Sequence, residues 1–143
     1  MSTLIHTEAF NPATGESLGQ IPQNTLEDIQ HAVSRIRKAQ AKWADFSFSE
    51  RGKHLRKMQR HLIEHGEEYA RIISADNGKP LVDAYMTEIS SAVIAFDYYI
   101  KHSARVLRER RVKGSHIFSL FTRNRLQHAP MGVVGIISPW NYP

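Results

Sequence analysis

Apolar residues in the first two thirds of the chain recur at steps of three and four, the period of an amphipathic helix. Ile29, Val33, Ile36 and Trp43 make one such stripe and predict a helix over residues 25–44. Thr25, with Asp28 three residues on, has the outline of a capping box at its start. Leu55, Met58 and Leu62 mark a second helix, with Ser49 as its expected N-cap and Gly66 as its breaker. Tyr69, Ile72 and Ile73 mark a third, which should stop at Asn77-Gly78 with Pro80 just beyond. Leu81 to Leu107 contains neither Gly nor Pro, and Val82, Tyr85, Ile89, Ala92, Phe96, Tyr99 and Ser103 fall on one face. That pattern predicts a single long helix, and helices together occupy residues 25–108.

The flanks follow a different period. "FNPATGESLGQIP" (Phe10–Pro22) places Asn-Pro and Thr-Gly turn formers between short apolar pieces and reads as a β-hairpin over residues 10–22. The stretch 115–128, within "SHIFSLFTRNRLQHAP", mixes β-formers, aromatics and charges as an exposed or edge strand does. In "MGVVGIISPWNYP" (131–143) the apolar residues run together without alternating. Such a run suits a strand covered on both faces, as in a parallel sheet flanked by helices. Helices followed by one buried strand suggest the opening of an α/β domain whose sheet is not completed by these residues.

Composition narrows the classes. The 143 residues are 41% hydrophobic and 23% charged, values of an ordinary soluble domain. No apolar run approaches the roughly 20 residues that span a bilayer, and the N-terminus lacks the pattern of a signal peptide. A cytoplasmic protein with no membrane partner is the expectation. There is no cysteine, so these residues hold no disulfide, thiolate ligand or thiol nucleophile. The net charge of +5 raises the alternative of a small basic helical module that binds nucleic acid. The basic residues are interspersed with acidic ones, however, and solvated faces explain them better, so no nucleic-acid partner is expected.

The chemistry concentrates in the corner after the last strand. Ligands of open α/β sheets bind beyond the carboxyl ends of the strands, where Ser138-Pro139-Trp140-Asn141-Tyr142-Pro143 would sit. Two prolines stiffen it. The amide of Asn141 could donate to an oxygen that gains negative charge, and Trp140 offers a flat wall. One short motif lies elsewhere. "HLIEH" (His61–His65) matches the H-x-x-E-H pattern of some zinc enzymes, with His54 on nearly the same stripe. A solvated polar face accounts for so short a match more simply, and no metal site is expected there.

"GVVGIISPWNYP" resembles the signature that opens the cofactor domain of the NAD(P)-dependent aldehyde dehydrogenase superfamily. "FNPATGE", "ADNGKP", "FDYYIKHSARV" and "FTRNRLQHAPMGVVG" resemble further motifs of that family, in the same order. The resemblance implies an α/β fold: an N-terminal helical segment plus the first strand of a Rossmann-like cofactor domain, incomplete within residues 1–143. It implies oxidation of an aldehyde to a carboxylic acid with NAD or NADP through a covalent thioester. Asn141 resembles the family's oxyanion-hole asparagine. Ile137, Ser138, Pro139 and Trp140 resemble the strand-end residues that line the dinucleotide site, and Asp76 resembles a position where some members hold a monovalent cation. Residues 115–128 resemble part of the oligomerisation arm, which implies a homodimer or homotetramer. The family's cysteine nucleophile, its glutamate base and its glycine-rich turn have no counterpart here. The expectation is an N-terminal fragment of a longer enzyme, inactive alone; a non-catalytic subunit derived from the family is the other outcome.

Overall fold

A computed structural model describes residues 5–112, 114 and 122–138. The chain opens with an antiparallel hairpin, β1 (His6–Phe10) and β2 (Ser17–Pro22). His6 pairs with Pro22, and the register slips between Ala9 and Phe10 so that Phe10 faces Ser17. The hairpin therefore begins before residue 10, and the "NPATG" segment forms its loop, where its turn formers put it. Asn11 closes that loop, its Oδ1 accepting from the Ala13 and Thr14 amides at 2.9 and 3.3 Å. Gly15 takes φ +74°, which a side chain would resist.

Helix α1 (Leu26–Asp45) follows, with Thr25 as its N-cap. The capping box is reciprocal: Asp28 N–H donates to Thr25 Oγ1 at 3.2 Å, and the Asp28 carboxylate accepts the Thr25 amide at 2.8 Å. Helix α2 (Phe48–Glu64) is capped by Ser47 through the same device with Glu50. The expected cap, Ser49, lies inside the helix. Ser49 has no acidic residue three positions on, whereas Ser47 has Glu50. At the α1–α2 corner the Arg51 guanidinium donates from Nη2 to the Ala44 carbonyl at 3.0 Å, with the Phe48 ring 5.4 Å away.

Helix α3 (Gly66–Asn77) ends at Gly78, whose φ of +78° is the left-handed C-cap expected of the Asn77-Gly78 pair. The long helix after Pro80 exists but is not uniform. A turn of α4 (Leu81–Asp83) passes into a π-helical segment (Ala84–Ser90) and then into α5 (Ser91–Val106). The wider π turn puts Ala84 and Ile89, five residues apart, on the same buried face. An unbroken 3.6-residue period would instead bury Val82, which is 71% exposed.

α2 lies along α5, and α3 packs on the π segment. The buried core among the described residues is Ala70, Ala84 and Ile89, flanked by Leu62, Tyr69 and Ile73. Gly66 lets α3 approach this core: a Cβ there would stand 3.0 Å from Ile89 Cγ2. Two expected core positions face outward, Met58 and Ile72, each 58% exposed. On α2 the inward place next to Met58 goes to Gln59, whose Nε2 donates to the Val93 carbonyl on α5 at 3.0 Å. A polar side chain at the helix–helix contact broke the apolar stripe that the sequence suggested. The face of α1 marked by Ile29, Ile36 and Trp43 is likewise exposed.

β3 (Arg110–Val112) and β4 (Asn124–Leu126) form a second antiparallel pair, with Arg111 opposite Arg125. The strand expected over 115–128 is thus shorter among the described residues, and residues 115–121 lie outside them.

Candidate functional site

The corner that carries the expected chemistry is described as far as Ser138; Pro139, Trp140 and Asn141 lie outside the described residues. The run leading to it, 131–138, has no strand ladder. Val133 is half-buried, and Ile137 is 97% exposed. Among the described residues no neighbouring strand pairs with 131–138, and their apolar side chains are mostly exposed, as expected where the sheet is not completed within these residues. Among the described residues Ile137 and Ser138 are both exposed.

Asp76 sits on the last turn of α3 and is exposed. The hairpin loop does reach this helix end, since a Cβ on Gly78 would meet Pro12 Cγ at 3.0 Å. Among the described residues no group of three or more His, Cys, Asp or Glu side chains is gathered to hold a metal ion.

The "ADNGKP" turn is instead tied to the π segment. Asn77 Oδ1 accepts the Lys79 amide at 2.9 Å, and Ser74 Oγ donates to the Lys79 carbonyl at 2.7 Å. Lys79 Nζ then donates to Glu88 Oε1 at 2.9 Å, and Thr87 Oγ1 donates to the same oxygen at 3.1 Å. The Lys79 hydrogen bond, seconded by Thr87, holds the Glu88 carboxyl below the usual glutamate range. The lysine and glutamate are nine residues apart across a proline, a spacing with no periodic signal, so this pair was not legible in the sequence.

Of the "HLIEH" motif the structure brings His61 and His65 together, with ring centres 4.4 Å apart. His54 does not join them. It stacks on Phe46 at 5.3 Å with the rings nearly parallel, because the α1–α2 corner lies beside it. Tyr69 on α3 completes the group, its hydroxyl 2.9 Å from His61 Nε2.

Residues 2–143 match the aldehyde dehydrogenase family. The chain belongs to that family. Malonate-semialdehyde dehydrogenase 2 of Oceanobacillus iheyensis is 32% identical over 138 residues, 95% of this chain and 27% of the relative. The chloroplastic betaine aldehyde dehydrogenase of Amaranthus hypochondriacus is 34% identical over 139 residues, 94% of this chain and 27% of that protein. Among solved structures, the aldehyde dehydrogenase from Bacillus cereus, determined as its NAD+ complex, superposes with a TM-score of 0.70 at 31% identity. That superposition covers 78% of this chain and 23% of the Bacillus enzyme. The chain spans about a quarter of the length of these relatives. Its fold is the mixed helix-and-strand arrangement of part of an aldehyde dehydrogenase, with only two-stranded sheets among the described residues. No helix among the described residues is long and apolar enough to cross a membrane.

Proposed function

We infer that the protein supplies the oxyanion-binding corner and the first dinucleotide contacts of an NAD(P)-dependent aldehyde dehydrogenase, and that it is inactive alone. The observation that supports this reading is the family match over residues 2–143, which carries the Pro-Trp-Asn-Tyr-Pro corner within it. The 143 residues contain no cysteine, so the thiolate that attacks the aldehyde must come from residues outside this sequence.

In this reading NAD or NADP, when bound, accepts the hydride released as the aldehyde carbon is oxidised. The chain's own residues do the rest of what falls to this segment. Ile137, Ser138, Pro139 and Trp140 would line the bound dinucleotide, largely through backbone atoms. The Asn141 side-chain amide donates to the carbonyl oxygen of the aldehyde, whose negative charge grows as the thiolate adds. The same donor holds the thioester oxygen while water releases the acid. Asparagine suits the task because it donates without titrating, and losing one such donor costs about 3–4 kcal/mol of transition-state stabilisation. Aldehydes are the substrate class; the arm around 115–128 supports a homodimer or homotetramer.

The test reads the coding sequence past Pro143 and assays its product for aldehyde-dependent NAD(P)H formation. The expected product has a cysteine nucleophile and oxidises aldehydes, and Asn141→Ala lowers its kcat by about 100- to 1,000-fold. A product without a cysteine, or full turnover after Asn141→Ala, overturns the proposal.

A further inference from the structure

A second group of side chains, at the α2–α3 corner, has the arrangement of a two-histidine chelate. His61 stands on the last turn of α2, and His65 is the residue on which α2 ends and α3 begins. Both are exposed. Four residues apart on a helix places two side chains on one face, and here the rings are 4.4 Å apart at 44°. Two imidazoles bound to one zinc-sized ion at about 2.0–2.1 Å bring their ring centres to roughly 4.5 Å at a right angle and roughly 5.2 Å at the tetrahedral angle. The observed spacing needs only a small ring adjustment to reach that.

The hydrogen bonds fix the tautomer of one ring and are compatible with the matching one in the other. His65 Nδ1 lies 3.2 Å from Glu68 Oε2. An ionised carboxylate only accepts, so Nδ1 carries the proton and Nε2 keeps the lone pair. His61 Nε2 lies 2.9 Å from the Tyr69 hydroxyl. When that nitrogen donates to the hydroxyl, Nδ1 is the one left with a lone pair. With His61 in that tautomer, each ring has one nitrogen tied to an oxygen of α3 and one lone pair available to a metal ion. A ring N–H given to a carboxylate is also the usual outer partner of a metal-bound histidine, where it fixes the tautomer and raises basicity.

We propose that His61 and His65 bind a borderline divalent transition cation, such as Zn2+, Ni2+ or Cu2+, through His61 Nδ1 and His65 Nε2, with water filling its other positions. Glu68 and Tyr69 orient the rings and are not ligands. Glu64, the acid within the motif, is not used, so the site is a clamp on the α2–α3 corner rather than a hydrolytic centre. Two neutral nitrogen donors select these ions over Mg2+ and Ca2+, which require oxygen ligands.

The tag-free 143-residue chain is titrated with ZnCl2 and with NiCl2 in competition with a fluorescent chelator at low-micromolar protein. One site is expected, weakened more than tenfold by His61→Ala and by His65→Ala and about tenfold by Glu68→Gln. Circular dichroism verifies that the variants keep their helix content. On the unsubstituted chain, Zn2+ should protect His61 and His65 from diethylpyrocarbonate while His54 and His102 continue to react, and Mg2+ should protect neither. Absence of binding, protection of other histidines instead, or an affinity unchanged within twofold by both alanine variants overturns the proposal.

Discussion

Replacing Ser47 by alanine removes the N-cap of α2, and the loss can be followed atom by atom. Ser47 Oγ accepts the Glu50 amide at 3.3 Å and donates to the Glu50 carboxylate at 2.7 Å, which also accepts the Ser47 amide at 2.8 Å. Alanine abolishes the first two bonds and leaves the Glu50 amide, one of four unmatched donors of the helix start, to water. Losing a serine cap costs about 1 kcal/mol, within a range of roughly 0.5–2. Near 25 °C that corresponds to about a fivefold change in the opening equilibrium of the first turn. Amide hydrogen exchange on the whole chain reads it: the Glu50 and Arg51 amides should exchange about fivefold faster in Ser47→Ala. Ser49→Ala is the control, because Ser49 lies inside the helix and caps nothing; its amides should exchange at the unsubstituted rate. The difference also depends on pH. The Ser47 hydrogen bonds lower the Glu50 carboxyl below its ordinary value of 4.5. A depressed carboxyl stabilises the helix fully above that value, and the effect is lost as pH falls through the lowered one. The gap between Ser47→Ala and the unsubstituted chain should therefore close on acidification. Equal effects of the two alanines, or a gap that widens in acid, would refute the assignment of the cap.

Two further outcomes follow from the packing. Ile89 is 4% exposed and is the largest side chain in the buried core, so Ile89→Ala should lower stability by about 2–4 kcal/mol in a urea titration followed by circular dichroism. A loss below about 1 kcal/mol would mean that the α3–π-segment contact is not formed as described. The Lys79–Glu88 pair should make the chain acid-sensitive: with the Glu88 carboxyl lowered from 4.5, its stabilisation is present above that value and fades below it. Glu88→Gln should flatten this part of the pH–stability profile, and an unaltered profile would remove Glu88 from it.

Much of the fold was legible because its signals are local. Thr25 with Asp28 and Asn77-Gly78 before Pro80 each depend on a few adjacent residues and appear where the pattern put them, and the break expected at Gly66 falls one residue earlier, at His65. The failures arise where a neighbour outside the element decides. Gln59 displaces Met58 from the α2–α5 contact by finding a carbonyl on the other helix, and the π turn rotates the buried face from Val82 to Ala84. Neither event leaves a trace in a window of one helix. The candidate site divides similarly. The identity of the corner is written in a short, stiff string, whereas the strand beneath it requires partners, and 131–138 has none among the described residues. His54 shares a stripe with His61 and His65, yet stacking on Phe46 takes it away from them.

The way this chain is stabilised reflects that division. Isolated helices are marginal in water, and in folded proteins an amphipathic face normally supplies what propensity does not. Here α1 buries no residue, and α2 buries only Gly52. Those two helices are also the ones with complete reciprocal capping boxes, whereas no side chain caps α3 or α5. α3 and the π segment have the buried core between them instead. Local hydrogen bonds therefore support the two helices that bury least, although α2 also lies along α5, and side-chain burial supports α3 and the π segment; α5 has neither a side-chain cap nor a buried residue. The two kinds of support respond differently to perturbation. Acid releases the boxes by protonating Asp28 and Glu50 and weakens the Lys79–Glu88 tie, but it leaves the aliphatic contacts of Ile89 intact, so α1 and α2 should lose their amide protection from exchange before the α3–π-segment pair does.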